Sequence, residues 1–367
     1  MKQLCHCIVF GLLCLVCLET PLAAESLSSS IPITFYGYVK GDLSWTSEPT
    51  SLDNYTQWVS VRAADAEAEP HLSMTANQTR LGFRLEGPSE TFHSSANVEM
   101  DFYGAGGTEN KATPRMRHAY MQLDWKDSGW NLLAGQTWDL VSPLYPNTVN
   151  FPVAWWAGNI GFRRPQVRVT KTTGGLSTAL ALARTIGGEA SGMPTFQYRA
   201  AWSFSGLTER KTTLGVSGMQ GDYDKDGTLS SNCVNVDLSV PLTSALGVSG
   251  EYWTGENLAA YTGGIGQGLT ATGETLQATG FWFMASLALS PRLSCNLGYS
   301  QDDPDDKDLA VDARALNSSI WLNGWFTLDR NTKLGLEAGS WSTEYKTATA
   351  TTSVDALRLQ SSLLFSF

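Results

Sequence analysis

Alternation of apolar and polar side chains with a period of two is the feature that most restricts the fold of this 367-residue chain. In Val234-Asn235-Val236-Asp237-Leu238, for example, every second side chain is aliphatic and those between are polar. A period of two places successive side chains on opposite faces of a β-strand, so the chain is predicted to be all-β. We count sixteen such runs, which begin near residues 33, 79, 92, 115, 130, 166, 176, 197, 211, 232, 244, 276, 292, 316, 332 and 355.

The connections between these runs alternate strictly between short and long. Short turns on one rim and long loops on the other are typical of an up-and-down barrel that spans a membrane. Closure also removes the exposed strand edges of an open sheet. The spacing therefore predicts a sixteen-stranded antiparallel transmembrane β-barrel with short periplasmic turns and long extracellular loops. The short connections lie near 87–91, 126–129, 172–175, 206–210, 241–243, 289–291 and 329–331, and the long ones near 46–78, 104–113, 140–165, 186–195, 220–231, 255–274, 302–314 and 343–354.

The first 24 residues indicate an export signal. Lys2 precedes the apolar stretch Ile8–Leu18, which is too short to span a bilayer. Leu22-Ala23-Ala24 supplies the small residues at which a signal peptidase cleaves. We expect cleavage after residue 24 and a mature chain of residues 25–367 that forms one domain. Acylation at Cys17, as in a lipoprotein, is the alternative.

Cleavage removes four of the six cysteines and leaves Cys233 and Cys295. The two have opposite parity on distant strands, so we do not expect a disulfide between them.

Composition excludes several classes of protein. The formal net charge is −10, whereas a domain that binds nucleic acid needs clustered lysine and arginine, so no nucleic-acid partner is expected. No run of 18 apolar residues follows residue 24, which excludes a helical membrane protein. The main alternative to a membrane barrel is a secreted soluble β-sheet binding protein, such as a lectin. That alternative needs a second layer to cover the apolar strand faces.

Enzymatic motifs are scarce. The sequence contains neither G-x-S-x-G nor H-E-x-x-H. His118 with a strand serine could mimic an outer-membrane phospholipase, but strand parity directs His118 to the inner side of a barrel. The chain is therefore not expected to be an enzyme.

Four segments resemble Gram-negative outer-membrane porins. Leu363–Phe367 resembles the last strand that the barrel-assembly machinery reads, and Arg117–Leu123 resembles a strand of sixteen-stranded porins. Leu133–Trp138 and Gly161–Arg168, which flank a long loop, resemble the DcaP-type porins more narrowly. The resemblance implies a homotrimer in contact with outer-membrane lipid and lipopolysaccharide. It also implies a channel that takes up dicarboxylates and related small anions.

Strand parity predicts which charged side chains point into the barrel. Arg117 shares parity with outward-facing Ala119, so it lies either at a rim or at a β-bulge. Because the last strand of a closed barrel lies beside the first, one basic wall is expected from Lys40, Arg80, Arg84 and Arg358. The residues predicted to line a pore or contact its solute are Lys40, Arg80, Arg84, Glu99, Asp101, Arg115, Arg117, Arg163, Arg164, Arg168 and Arg358.

Loop 140–165 is the candidate constriction, since porins fold this loop into the lumen. It is apolar and proline-rich, as a loop covered by protein must be. A wall of guanidinium groups facing it would favour small anions, because paired arginines can hold a carboxylate bidentately. The alternative is that these arginines merely pair with Glu86, Glu99 and Asp101, which would leave the pore unselective.

Two further loops carry patterns similar to known ligand-binding motifs. Asp222, Asp224 and Asp226 match the first half of an EF-hand calcium loop, but Cys233 stands where a bidentate glutamate would close the site. A loop calcium ion is therefore a weak expectation, and no other cofactor is expected. The glycine-rich segment 263–268 lacks the strand–helix context of a nucleotide loop and is predicted to be a flexible outer loop.

Overall fold

Seventeen antiparallel strand segments form one closed sheet in the computed structural model, which describes residues 29–52, 54–61, 67–89, 91–105, 112–185, 192–223 and 229–367. β2 and β3 both pair with β1, every later segment pairs with the next along the chain, and β17 pairs with β1. The strands are β1 (Ile33–Thr46), β2 (His71–Thr75), β3 (Arg80–Ser89), β4 (His93–Asp101), β5 (Arg115–Trp125), β6 (Trp130–Trp138), β7 (Arg163–Thr173), β8 (Leu176–Ala183), β9 (Thr195–Ser205), β10 (Lys211–Asp222), β11 (Ser230–Pro241), β12 (Leu246–Glu256), β13 (Gln277–Ser290), β14 (Leu293–Pro304), β15 (Arg314–Thr327), β16 (Thr332–Lys346) and β17 (Thr351–Ser366).

The seventeen segments occupy sixteen positions in the barrel, as predicted. β2 and β3 share one position because both pair with β1, β2 along its second half and β3 along its first half. A short break at 76–79 separates them, and there Thr79 N donates to Ala76 O over 2.9 Å. The Lys40 side chain on β1 contacts this break, because its Nζ donates to Gln78 Oε1 at 2.5 Å. The second barrel strand therefore begins at 71, eight residues before the predicted start.

The two faces of the barrel differ in polarity. On β17, Leu363 and Phe365 are 54% and 51% exposed on the outer face, whereas Arg358 and Gln360 are buried on the inner face. The same alternation recurs in β11, β15 and β16. A soluble sheet would need a layer over the apolar face, and none covers it within the described residues. A bilayer supplies that apolar environment, and closure of the barrel satisfies the backbone hydrogen bonds.

Connections follow the predicted short and long alternation, with one correction. A long loop is expected at 343–354, but β16 continues to Lys346 and β17 begins at Thr351. A tight turn joins them, in which Thr347 N donates to Ala350 O over 2.7 Å. The polar residues of this segment still alternate between the two faces, so they extend the strand pairing beyond the apolar band.

Helical structure is confined to three one-turn 3-10 helices among the described residues: Ala259–Tyr261, Gly264–Gly266 and Asp306–Asp308. No helix in the described ranges is long and apolar enough to cross a membrane. Cys233 is buried on the inner side and Cys295 is half-buried on β14, and both thiols are free. The predicted export signal, residues 1–24, lies outside the described residues.

Candidate functional site

Loop 139–162, which joins β6 to β7, folds into the barrel. The backbone amides of Val149 and Asn150 donate to the two oxygens of Glu337 on β16, over 2.6 and 3.1 Å. The Val149 carbonyl accepts from Lys40 Nζ on β1 at 3.1 Å. The middle of the loop therefore lies against the inner face of the wall formed by β16, β17 and β1.

Glu251 on β12 holds the start of the same loop. Its carboxylate accepts from Leu144 N at 2.9 Å and from the Ser142 hydroxyl. Neither Glu251 nor Glu337 forms an ion pair with any cation in the described part of the chain, so loop donors take the place that a lysine or arginine would fill. A buried carboxylate is stable in this form only while such donors satisfy it.

Close backbone approach requires a glycine where the loop meets the far wall. Gly158 has a φ of +114°, and a Cβ atom there would lie 2.2 Å from the Phe281 carbonyl oxygen. The Gly158 carbonyl also accepts from Trp253 Nε1 at 2.7 Å. Val153 and Trp156 in the same loop have φ values of +47° and +63°. Non-glycine residues in this region are strained, and such strain is typical of functional sites.

Loop 47–61 also turns inward, although its residue 53 is outside the described ranges. Tyr345 donates its hydroxyl to Val59 O at 2.7 Å, and the Arg358 guanidinium donates to Asn54 O at 3.2 Å. Tyr55 packs edge-on against Tyr103 with ring centroids 5.3 Å apart. Burial raises the pKa of Tyr55 to about 12, which extends the pH range over which its hydroxyl stays protonated.

Loop 257–276 is the third inward segment, and here the prediction of a flexible outer loop at 263–268 is wrong. Ile265 is fully buried, and its amide donates to Asp302 Oδ2 at 3.0 Å. Tyr261 accepts at its carbonyl from Gly161 N at 2.7 Å, which attaches this loop to loop 139–162. Three inward loops thus line the interior.

An arginine cluster lies on the strands that follow β1, and we define it as Arg80 on β3, Arg115 and Arg117 on β5, and Arg163 at the start of β7. Two acidic residues of β4 lie within the cluster. Arg115 binds Asp101 bidentately, with N···O distances of 2.9 and 2.7 Å. Arg117 donates to Glu99 at 2.6 Å and to Asp101 at 3.0 Å.

Arg117 reaches this position because of a β-bulge. Glu99 pairs with His118 and Met100 with Met116, so Arg117 is the extra residue in β5. The bulge turns Arg117 inward, where it is 2% exposed, although its parity in a regular strand is outward. Gln136 donates to the Met116 carbonyl at 2.9 Å on the outer side and so satisfies an oxygen at the bulge.

Arg80 and Arg163 have no carboxylate partner in the described part of the chain. Both terminal nitrogens of Arg163 and Nε of Arg80 are buried without a hydrogen-bond acceptor there. Four positive and two negative charges leave the cluster with a formal surplus of +2.

Aromatic rings contact the guanidinium groups of the cluster. Arg163 Cζ lies 4.4 Å from the centroid of the Trp138 ring and 4.6 Å from that of Phe162. Arg117 Cζ lies 5.6 Å from the same Trp138 ring, and Arg80 Cζ lies 5.4 Å from the Tyr38 ring. These rings were not singled out from the sequence. Cation–π contacts stabilise a guanidinium without consuming its hydrogen-bond donors.

Lys40 and Arg358 do not join Arg80 in an open basic wall, contrary to prediction. Lys40 pairs with Asp42 at 3.0 Å, and Arg358 donates to Thr56 Oγ1 at 3.3 Å. Loops 47–61 and 139–162 cover both side chains.

Three more predicted residues lie apart from the cluster. Arg164 pairs with Asp139 at 2.7 Å, and its guanidinium lies 3.8 Å from the Tyr261 ring centroid. Arg168 donates to Gln166 Oε1 at 2.7 Å. Arg84 is exposed toward the short-turn end of the barrel, with its Cζ 5.3 Å from the Tyr36 ring.

The remaining two features from the sequence are the calcium loop, which lies partly outside the described residues, and His118. Asp222 ends β10, whereas Asp224 and Asp226 fall in the undescribed segment 224–228, so the calcium loop stays a prediction. His118 lies on the inner side as predicted, with Nδ1 3.1 Å from Thr137 Oγ1.

Comparison with known proteins identifies the fold. No protein-family model matches the sequence, and no curated protein matches it either. Among solved structures, the outer-membrane channel DcaP of Acinetobacter baumannii superposes with a TM-score of 0.75 at 19% identity, over 92% of this chain and 97% of that one. An anion-selective porin from Comamonas acidovorans gives a TM-score of 0.63 at 14% identity, over 92% and 100%. A trimer form of OmpT from Vibrio cholerae gives 0.59 at 10% identity, over 92% and 100%. This chain therefore has the fold of outer-membrane channels and porins.

Proposed function

We propose that this protein is an outer-membrane porin, a water-filled diffusion channel for small hydrophilic solutes that favours small anions such as dicarboxylates. The closed barrel with an apolar outer face and a polar inner face supports the channel. Its fold is that of proteins described as an outer-membrane channel and an anion-selective porin. No enzymatic activity is proposed, since His118 faces the interior and not the lipid.

The observation that carries the anion preference is that, among the described residues, Arg80 and Arg163 have no carboxylate partner. In an unselective pore, the carboxylates of Glu86, Glu99 and Asp101 would neutralise the arginines. Glu86 pairs with His93 at 2.7 Å, so only Glu99 and Asp101 remain to balance the four arginines of the cluster. A surplus of +2 is equal in magnitude and opposite in sign to the charge of a dicarboxylate dianion. Buried guanidinium groups with free donors are suited to bind carboxylate oxygens.

The predicted residues then divide into two roles. The arginine cluster with Glu99 and Asp101 contacts the solute at the constriction, and Arg84 continues the basic lining toward the short-turn mouth. Lys40, Arg164, Arg168 and Arg358 hold loops and strands around the constriction. Loop 139–162 narrows the passage opposite the cluster.

We further propose that the protein is exported to the outer membrane and assembles as a homotrimer. We infer that residues 1–24 direct export and are removed, and that residues 25–367 form the barrel domain. A homotrimer is supported by the trimer form of OmpT. The outer face contacts outer-membrane lipid, and lipopolysaccharide surrounds the long-loop rim.

Swelling of proteoliposomes in three four-carbon solutes tests this function. Succinate is a dianion, erythritol is neutral and 1,4-diaminobutane is a dication, and the three have similar size. We expect swelling to be fastest in succinate and slowest in the diamine. Equal rates would support an unselective pore, and no swelling in any solute would contradict the channel itself.

A further inference from the structure

The short-turn rim carries a polar and aromatic cluster on its outer face, where β5, β6 and β7 end. Trp125 and Trp130 are directly opposed across β5 and β6, and Lys171 is directly opposed to Trp130 across β6 and β7. Lys126 follows Trp125 in the turn. Since Val167 and Val169 are exposed on the outer face of β7, Lys171 shares that face by parity with them.

Tryptophan pairs of this kind mark the depth of the lipid headgroups. Trp130 is 45% exposed, and Trp125 packs against Phe92 with ring centroids 5.4 Å apart. Aromatic girdles lie at both interfaces of a membrane barrel, where the ring is apolar and the indole N–H is hydrated. Lys126 and Lys171 therefore lie at the level of the phosphate groups of the leaflet that faces the short turns.

Neither lysine forms an ion pair within the described residues, although Asp127 follows Lys126 in the same turn. Lys171 Nζ lies 5.0 Å from the Trp130 ring centroid and donates to the Ser128 carbonyl. An ammonium group has three donors, so two remain for a ligand. Lys126 is exposed and forms no ion pair in the described part of the chain. The Trp130 ring thus positions the Lys171 ammonium, and Lys126 is the residue directly after Trp125, the residue opposed to Trp130.

We propose that Lys126, Lys171 and the Trp125–Trp130 pair form a binding site for the phosphate headgroup of an anionic phospholipid in the periplasmic leaflet. The indole rings contact the glycerol and upper acyl region, and the two ammonium groups contact the phosphate. The proposal goes beyond channel function, because it requires only that the barrel spans a bilayer in the stated orientation.

The rim itself provides a matched control. Arg292 and Arg330 are exposed in two other short turns and carry the same total charge. Within the part of the chain that the structure describes, neither arginine forms a cation–π contact, whereas Lys171 does. The variant Lys126→Gln/Lys171→Gln can therefore be compared with Arg292→Gln/Arg330→Gln, which changes the net charge equally.

The experiment reconstitutes each barrel in equal parts phosphatidylglycerol and phosphatidylcholine, re-extracts it in mild detergent and measures the retained lipids by mass spectrometry. We expect about fivefold enrichment of phosphatidylglycerol for the native chain and for the arginine variant. The lysine variant should retain the two lipids nearly equally. Salt at 1 M should reduce the native enrichment, because the contact is ionic and close to water.

Equal enrichment in both variants, or none in the native chain, would overturn the proposed site. Equal losses in both variants would also overturn it, because they would indicate diffuse attraction by the whole rim. Trp130→Leu provides an independent check: it keeps both charges, and we expect it to lower the enrichment without abolishing it. Heat-modifiable migration on gels shows whether each variant is a folded barrel.

Discussion

Trp138 and Arg163 are directly opposed in the β6–β7 ladder, and the guanidinium carbon of Arg163 lies 4.4 Å from the centroid of the indole ring. The two residues bracket loop 139–162, which leaves the wall after one and returns at the other. The indole ring stabilises the buried cation without using its N–H donors. The base of the inward loop therefore carries a buried positive charge that has no carboxylate partner within the described residues.

Arg163→Gln removes that charge and should lower the anion preference of the channel. The cluster surplus falls from +2 to +1, and at a separation of several ångströms in a hydrated passage one charge changes the anion-to-cation permeability ratio by about threefold. Reversal potentials in planar bilayers measure the ratio. Lys307→Gln, in an exposed loop where the lysine pairs with Asp305 at 2.6 Å, is the control and should leave the ratio unchanged. An equal drop in both variants would assign the selectivity to overall charge.

Glu99→Gln should have the opposite effect. Glu99 accepts from Arg117 Nε at 2.6 Å, so its replacement by a neutral amide frees part of the positive charge of Arg117. The anion-to-cation ratio should rise by about threefold. The same bilayer measurement applies, and a fall in the ratio would show that Glu99 acts mainly by keeping Arg117 in place.

Gly158→Ala should displace loop 139–162 from the β13–β14 wall. A Cβ atom at this position meets the Phe281 carbonyl at 2.2 Å, and the left-handed backbone adds strain of about 1–3 kcal/mol. We expect a larger or more variable single-channel conductance and a lower unfolding temperature. Gly41→Ala is the control, because nothing lies within 4 Å of a Cβ atom there. Unchanged conductance in Gly158→Ala would mean that the contact does not position the loop.

Glu337→Gln should weaken the attachment of the same loop to β16. The carboxylate accepts from two loop amides, whereas a glutamine amide group offers one oxygen and turns a donor toward the other N–H. Leaving one buried donor unpaired costs about 1–3 kcal/mol of the free energy of unfolding. Denaturant unfolding measures the loss. Glu344→Gln, whose carboxylate accepts from the exposed hydroxyl of Thr351, should be nearly neutral.

Strand number and strand faces were predictable from the sequence because each barrel strand contacts only its neighbours. The period of two in segments such as Leu357–Phe367 reflects lipid on one side and water or polar groups on the other, so it does not depend on distant residues. The turn at 347–350 was missed because serine and threonine continue the alternation above the apolar band. Polar strand extensions and loops have similar compositions.

The arginine cluster was predictable only in part. Parity placed Arg80 inward, but Arg117 depends on a bulge, and a single inserted residue reverses the face of everything that follows it. Nothing in the local sequence showed that Asp101 would be shared by Arg115 and Arg117, or that Lys40 would be covered by a loop. Such long-range pairings depend on how the inward loops fill the barrel.

The reversal potential of the native channel across a tenfold KCl gradient tests the central claim most directly. Potassium and chloride have nearly equal mobilities in water, so an unselective pore gives a potential near zero. If the surplus charge of Arg80 and Arg163 dominates the passage, the reversal potential has the sign expected for chloride preference. This preference should weaken as the salt concentration rises. A potential with the sign of potassium preference would contradict the account.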